Sequence, residues 1–320
     1  MQFLVTGGAG FIGSHLVESL LKDGHKVVVV DDLSTGSEKN LKNVKNHPNF
    51  EFIIGDIIDL SELEYLISHS DIVFHLAAAV GVELVVNDPV KTIITNVHGT
   101  ESILNAAKHH KTRVILTSTS EVYGKSELDK FSEGNDLLIG PPTHSRWSYA
   151  CSKLLDEFYC MAFANEYDVP IAVVRLFNTV GPRQTGMYGM VVPRFVEKAV
   201  NNQPLQVYGT GDQTRCFCHV YDTVRALRLI GESDITKEIF NVGNNSEISI
   251  YNLAAFIVER LRSKSQIEKI SYDEAYSPGF EDMLRRYPDI DKVYSAVKWK
   301  PEINLEEIID DVAAYVRANI

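Results

Sequence analysis

The stretch VTGGAGFIGSHL, residues 5 to 16, restricts what this chain can fold into more than any other. Gly7, Gly10 and Gly13 recur every third residue, directly after a short apolar run (residues 2 to 7) and directly before a helical pattern that opens at Ser14. Glycines so placed allow a tight strand-to-helix turn, let the backbone approach a pyrophosphate, and put that pyrophosphate at a helix N-terminus. A second apolar run, 26 to 32, ends in Asp31 and Asp32, where a dinucleotide fold needs a carboxylate for the adenosine ribose. No Arg follows in "LSTG" to hold a 2′-phosphate, so the predicted cofactor is NAD rather than NADP.

Further β-branched runs at 50 to 56, 71 to 77, 113 to 119 and 170 to 178 alternate with helical patterns. Runs apolar on both faces suit a parallel sheet covered by helices on each side. The order predicts an α/β fold, a doubly wound parallel sheet of the Rossmann type. Past residue 180 a Gly/Pro-rich loop (181 to 193) leads to a helix at about 193 to 201, a strand "LQVYG", and shorter charged segments closing in a helix at 305 to 318. The reading is a cofactor domain over 1–180, with a return segment near 238–245, and a smaller interleaved lobe over 181–320.

With 320 residues, 45% of them hydrophobic, the chain can bury a full core. No apolar run approaches the ~18 uncharged residues of a membrane span, and the N-terminus shows no leader pattern, so a soluble cytoplasmic protein is expected. A net charge of −12 argues against a nucleic-acid groove, though not against small anionic ligands. Cys151, Cys160, Cys216 and Cys218 lack metal-ligand spacing, so neither a metal site nor a disulfide framework is expected.

Two motifs carry chemistry. "YACSK" sets Tyr149 and Lys153 four apart on a helical pattern from about 148 to 166, hence on one face. A Lys ammonium beside a phenol favours the phenolate, giving a general base well below the roughly 10 of free Tyr. "TSTSEVYG", 117 to 124, ends a buried strand with Thr119, Ser120 and Glu121. Alone, that trio reads as turn residues.

Together these motifs resemble the extended branch of the short-chain dehydrogenase/reductase superfamily, and its nucleotide-sugar epimerases, dehydratases and decarboxylases in particular. The resemblance assigns Gly7, Gly10, Phe11, Ile12 and Gly13 to the cofactor, with Asp56 and Ile57 near the adenine, and Leu76, Ala77, Ala78 and Asn96 along it. It makes Tyr149 the base and Lys153 its partner, both also touching the cofactor, with Thr119 bonding the same substrate oxygen as Tyr149. Asn178, Arg183, Val192, Tyr208, Arg215 and Arg286 become substrate contacts, Arg215 gripping the diphosphate of a UDP-sugar. In this branch the Tyr-bearing helix and the helix near 90 to 109 commonly pair in a four-helix homodimer.

All such enzymes oxidise the sugar at C4, with the hydride passing to NAD. A 4,6-dehydratase resembling this chain would carry Asp-Glu where Ser120-Glu121 stands, and 4-epimerases usually carry small or apolar residues there. UDP-glucuronate decarboxylases carry Thr-Ser-Glu, as this chain does. The expected function is therefore UDP-glucuronate decarboxylation. A UDP-sugar 4-epimerase is the alternative, and a non-catalytic NAD-sensing protein the reading from another class.

Overall fold

The computed structural model describes residues 1–81, 88–186, 190–271 and 283–319. Its centre is a seven-stranded sheet built from β1 (Gln2–Thr6), β2 (Lys26–Asp31), β3 (Phe50–Ile54), β4 (Ile72–His75), β5 (Arg113–Thr119) and β6 (Ile171–Leu176). Four short strands follow, β7 (Thr179–Val180), β8 (Leu205–Tyr208), β9 (Thr214–Cys216) and β10 (Cys218–His219), before β11 (Glu238–Val242) completes the sheet. The order is β11-β6-β5-β4-β1-β2-β3, every pair parallel. Residues alternate between two buried layers. Phe3, Val5, Val29, Phe74 and Phe240 join one core with the Phe11–Lys22 and Val220–Gly231 helices; Leu4, Val28, Val30, Val73 and Val114 join the other with the Pro89–His110 and Trp147–Glu166 helices. This is the α/β doubly wound sheet that the sequence predicts.

Two expectations are adjusted. The first helix starts at Phe11, because Gly10 rather than Ser14 is its N-cap. β3 is not buried on both faces: it is the sheet's edge, and none of its five residues is fully enclosed.

A third core gathers Val192, Phe195, Val207, Phe217, Leu253, Ile309 and Val312, chiefly from the Val191–Val200, Ile250–Arg260 and Leu305–Ala318 helices. Small two-stranded ladders, β10 with β7, β9 with β12 (Glu247–Ser249) and β8 with β13 (Ile267–Ile270), surround it. Strand order reverses between β1 and β4, which opens a crevice at the carboxyl ends of the strands, the place where such sheets take ligands. Residues 187–189, within the Gly/Pro-rich loop read from the sequence, lie outside the described residues. Among the described residues no helix is long and apolar enough to cross a membrane.

Candidate active site

One cleft of about 650 Å³ runs from the glycine loop to the third core, a volume typical of ligand sites. Its walls include every sequence-predicted site residue but one.

At the sheet end the glycine loop is a tight cradle. A Cβ on Gly7, whose φ is +71°, would lie 2.7 Å from the Ala77 nitrogen, and one on Gly13 would lie 2.2 Å from the Gly7 carbonyl oxygen. No side chain caps the helix that starts at Phe11, and its first turn holds no acid. Its opening amides therefore remain available to a pyrophosphate. Asp31 is buried and accepts from the Ala9 and Leu33 amides at 2.9 Å each, so the carboxylate also braces the loop. Burial holds it above the usual Asp range. Asp32 is exposed and accepts from Ser34. Gly10, Phe11, Ile12, Asp56, Ile57, Leu76, Ala77 and Ala78 line the same wall. These residues fit a dinucleotide.

Asn96 is the exception. It is buried behind the wall, where its Oδ1 accepts from the Ala79 amide at 2.8 Å and its Nδ2 donates to the Ser152 hydroxyl at 3.0 Å. It ties the loop after β4 to the Tyr-bearing helix and does not face the cleft.

At the reacting end Thr119 finishes β5 and caps the turn Ser120–Tyr123, accepting from the Glu121 amide at 3.2 Å. The same side chain hydrogen-bonds the Tyr149 hydroxyl. Behind the turn Ser118 donates to Glu157, Arg175 clamps Glu157, and Arg175 donates to the Tyr123 hydroxyl at 3.0 Å, so a buried network fixes the strand end. Ser120 and Glu121 both line the cleft. Glu121 pairs with Arg286 at 3.1 Å, both side chains largely enclosed.

The electrostatics differ from expectation. Burial, and next the Glu121 carboxylate, push the Tyr149 phenol up rather than down. The Lys153 Nζ donates to Asp156 at 2.8 Å.

The far wall carries the substrate candidates. Asn178, at a φ of +34°, donates its amide to the Cys216 carbonyl at 3.0 Å and so pins the end of β6 to β9. Arg183 pairs with Glu18 of the first helix at 2.6 Å, and buried His15 bonds the Pro182 carbonyl, so the cradle helix and this loop are tied together. Val192, Tyr208 and buried Arg215 line the rest. Sequence reasoning missed Arg146, Arg194 and Tyr315, which share the cleft. Arg194 stacks 4.4 Å over the Tyr208 ring and donates to its hydroxyl. Arg146 stands three before Tyr149, a spacing that could have flagged it; nothing local marks Arg194 or Tyr315. With Arg183, Arg215 and Arg286, five arginines face one cleft of an acidic protein, which suits a ligand with several negative charges.

The sequence model of the GDP-mannose 4,6 dehydratase family matches residues 4–312. The UDP-N-acetyl-alpha-D-glucosaminuronate decarboxylase of Bacillus cytotoxicus is 39% identical over 315 residues, 98% of this chain and 97% of that protein. The UDP-glucuronic acid decarboxylase 1 of Xenopus tropicalis is 37% identical over 322 residues, 100% of this chain and 73% of that protein. Among solved structures, a UDP-glucuronic acid 4-epimerase from Bacillus cereus in complex with UDP-glucuronic acid and NAD superposes with a TM-score of 0.90 at 28% identity, covering all of both chains.

Proposed function

The chain belongs to the GDP-mannose 4,6 dehydratase family of extended short-chain dehydrogenases/reductases, and on that footing we propose that it is an NAD-dependent decarboxylase of UDP-uronates. The observation that carries this reading is the Glu121–Arg286 pair in the same cleft as Tyr149. A uronate brings a carboxylate on C6, and a largely enclosed guanidinium is the group that receives it with two parallel hydrogen bonds. A 4-epimerase working on a neutral hexose such as UDP-glucose has no use for a charge pair at C5 and C6; a 4-epimerase of UDP-glucuronate is the second reading, and carbon dioxide release separates it from this one.

NAD, when bound, supplies the oxidation at C4 and its reversal. This chain's residues do the rest. The Tyr149 oxygen takes the C4 hydroxyl proton, with Thr119 on the same oxygen. Once C4 is a ketone, the C6 carboxylate lies β to it; the C5–C6 bond breaks, carbon dioxide leaves, and the electron pair moves into an enolate across C4 and C5. Arg286 orients the departing carboxylate, and a proton is then returned to C5 from the Glu121 side of the cleft. Residues 1–180 with 238–245 hold the cofactor and 181–320 most of the nucleotide sugar, Arg215 meeting the diphosphate.

The test is a panel of UDP-glucuronate, UDP-N-acetylglucosaminuronate and UDP-glucose, read by product mass and released carbon dioxide. We expect loss of carbon dioxide from at least one uronate and none from UDP-glucose; the two uronates differ only in the C2 substituent. Inversion at C4 with unchanged mass would replace this reading by the epimerase one.

The protein is further proposed to work as a cytoplasmic homodimer. Exposed Val90, Ile93 and Ile94 on the Pro89–His110 helix and Leu155 and Phe158 on the Trp147–Glu166 helix support a four-helix interface with a second copy. Light scattering at micromolar concentration should give twice the chain mass, and Phe158→Glu should shift it toward the monomer.

A further inference from the structure

We infer that Asp156 is a positioning residue of this site: it holds the Lys153 ammonium and thereby sets how acidic the solution can become before Tyr149 stops acting as a base. The inference rests on the proposed role of Tyr149. It begins from placement. Asp156 and Lys153 stand three apart on one helix, their side chains 0% and 3% exposed, with Nζ 2.8 Å from Oδ2. Among the described residues Asp156 is the only anion bonded to Lys153, and its carboxyl also meets the Thr100 hydroxyl.

A fully buried carboxylate is a costly way to pack a helix. An apolar side chain of similar size serves better, as Cys160 and Ala164 do on the same helix. What Asp156 supplies is its charge, which burial opposes and the Lys153 ammonium sustains. Lys153 has three N–H donors, and Asp156 takes one in a fixed direction, which orients the head group and leaves two. Its negative charge also acts on the phenol against the positive charge of Lys153.

Among the described residues no other charged group facing this pair is bonded to Lys153, although Glu121 pushes the Tyr149 phenol up directly, and more than Asp156 does. Glu121, on the turn after β5, faces Tyr149 but is paired with Arg286 from the 283–290 segment. Glu157, next along the helix, is clamped by Arg175 of β6. His75 of β4 sits between the Thr6 and Thr100 hydroxyls; burial, then Lys153, lower its pKa to about 3, so it is neutral. Asp156 is itself among the groups that raise the phenol of Tyr149.

The sign follows. The base works as phenolate, so activity falls as pH drops through the pKa of Tyr149. An anion nearby raises that pKa, and its removal moves the acid limb of the rate profile to lower pH. Asp156→Asn keeps the shape and an acceptor oxygen while removing the charge. The NAD-loaded protein is mixed with a reactive UDP-sugar, and the first appearance of reduced cofactor is followed against pH. We expect the acid limb of Asp156→Asn to lie about one pH unit or more below wild type, with the plateau rate and KM little changed. An unmoved limb would overturn the inference, including where the thermal midpoint falls, since that is what a purely structural residue would give. If the Asn protein does not fold, Asp156→Ser, which also keeps an acceptor oxygen, carries the same comparison. The readout does not depend on carbon dioxide, so failure of the decarboxylase reading appears in product mass and failure of this one in the position of the limb.

Discussion

Tyr149→Phe is expected to lower turnover by about 10²–10⁴-fold, the range a lost general acid–base group gives. The substitution removes one oxygen and little volume. The ring still fills its place beside Thr119, and the glycine cradle, Asp31 and Lys153 are untouched. Cofactor retention should therefore equal that of wild type, so the loss falls on the rate and not on binding. The residual rate should also lose the acid limb seen in wild type, because the titrating phenol is gone. The measurement is turnover of the reactive UDP-uronate together with the amount of cofactor that co-purifies. A Phe variant at near-normal rate would remove Tyr149 from the mechanism.

Glu121→Ala is expected to separate two halves of the reaction. The carboxylate pairs with Arg286 at 3.1 Å and is the second cause, after burial, of the raised phenol of Tyr149. Its removal should ease formation of the phenolate, so the first oxidation persists and extends to lower pH. Carbon dioxide release, or the protonation at C5 that follows it, should fall by about 10²-fold or more. Reduced cofactor and a 4-keto sugar would then accumulate. Carbon dioxide and bound reduced cofactor, followed together after one mixing, distinguish this from general loss of activity. Equal survival of both steps would place the chemistry at C5 and C6 on other residues.

What the sequence makes legible is local. β5 and the last helix have the bounds that their residue patterns predict, and the spacing of Tyr149 and Lys153 puts both in the cleft because one helical turn is fixed geometry. The partner of a charge is not local. Arg286 reads as a contact for substrate, yet it reaches Glu121 from a segment near the other end of the chain. Lys153 sits beside Tyr149 in sequence and still gives a hydrogen bond to Asp156, because the phenol in a low-dielectric cleft cannot compete with a carboxylate three residues on. Asn96 shows a different limit: the resemblance sets it along the cofactor, but a residue in a helical stretch does not by itself tell whether it meets the cleft or the loop behind its wall.

The place of β11 has a consequence for how the protein is made. That strand pairs with β6 along its whole length, and Lys237 adds a bond to the Ile171 carbonyl, yet it is encoded after the segments that form β7 to β10. While the ribosome is still adding residues 181 to 237, β6 is an open, strongly apolar edge, the kind that recruits other strands. The Val220–Gly231 helix, which covers one face of the sheet, arrives just before the edge is closed, and Arg113 of β5 then secures the end of that helix through the Ile230 and Gly231 carbonyls. A nascent chain cannot complete the seven-stranded sheet before residues 238–242 have been made. Cutting the gene at the apparent boundary near residue 180 would yield a sheet one strand short.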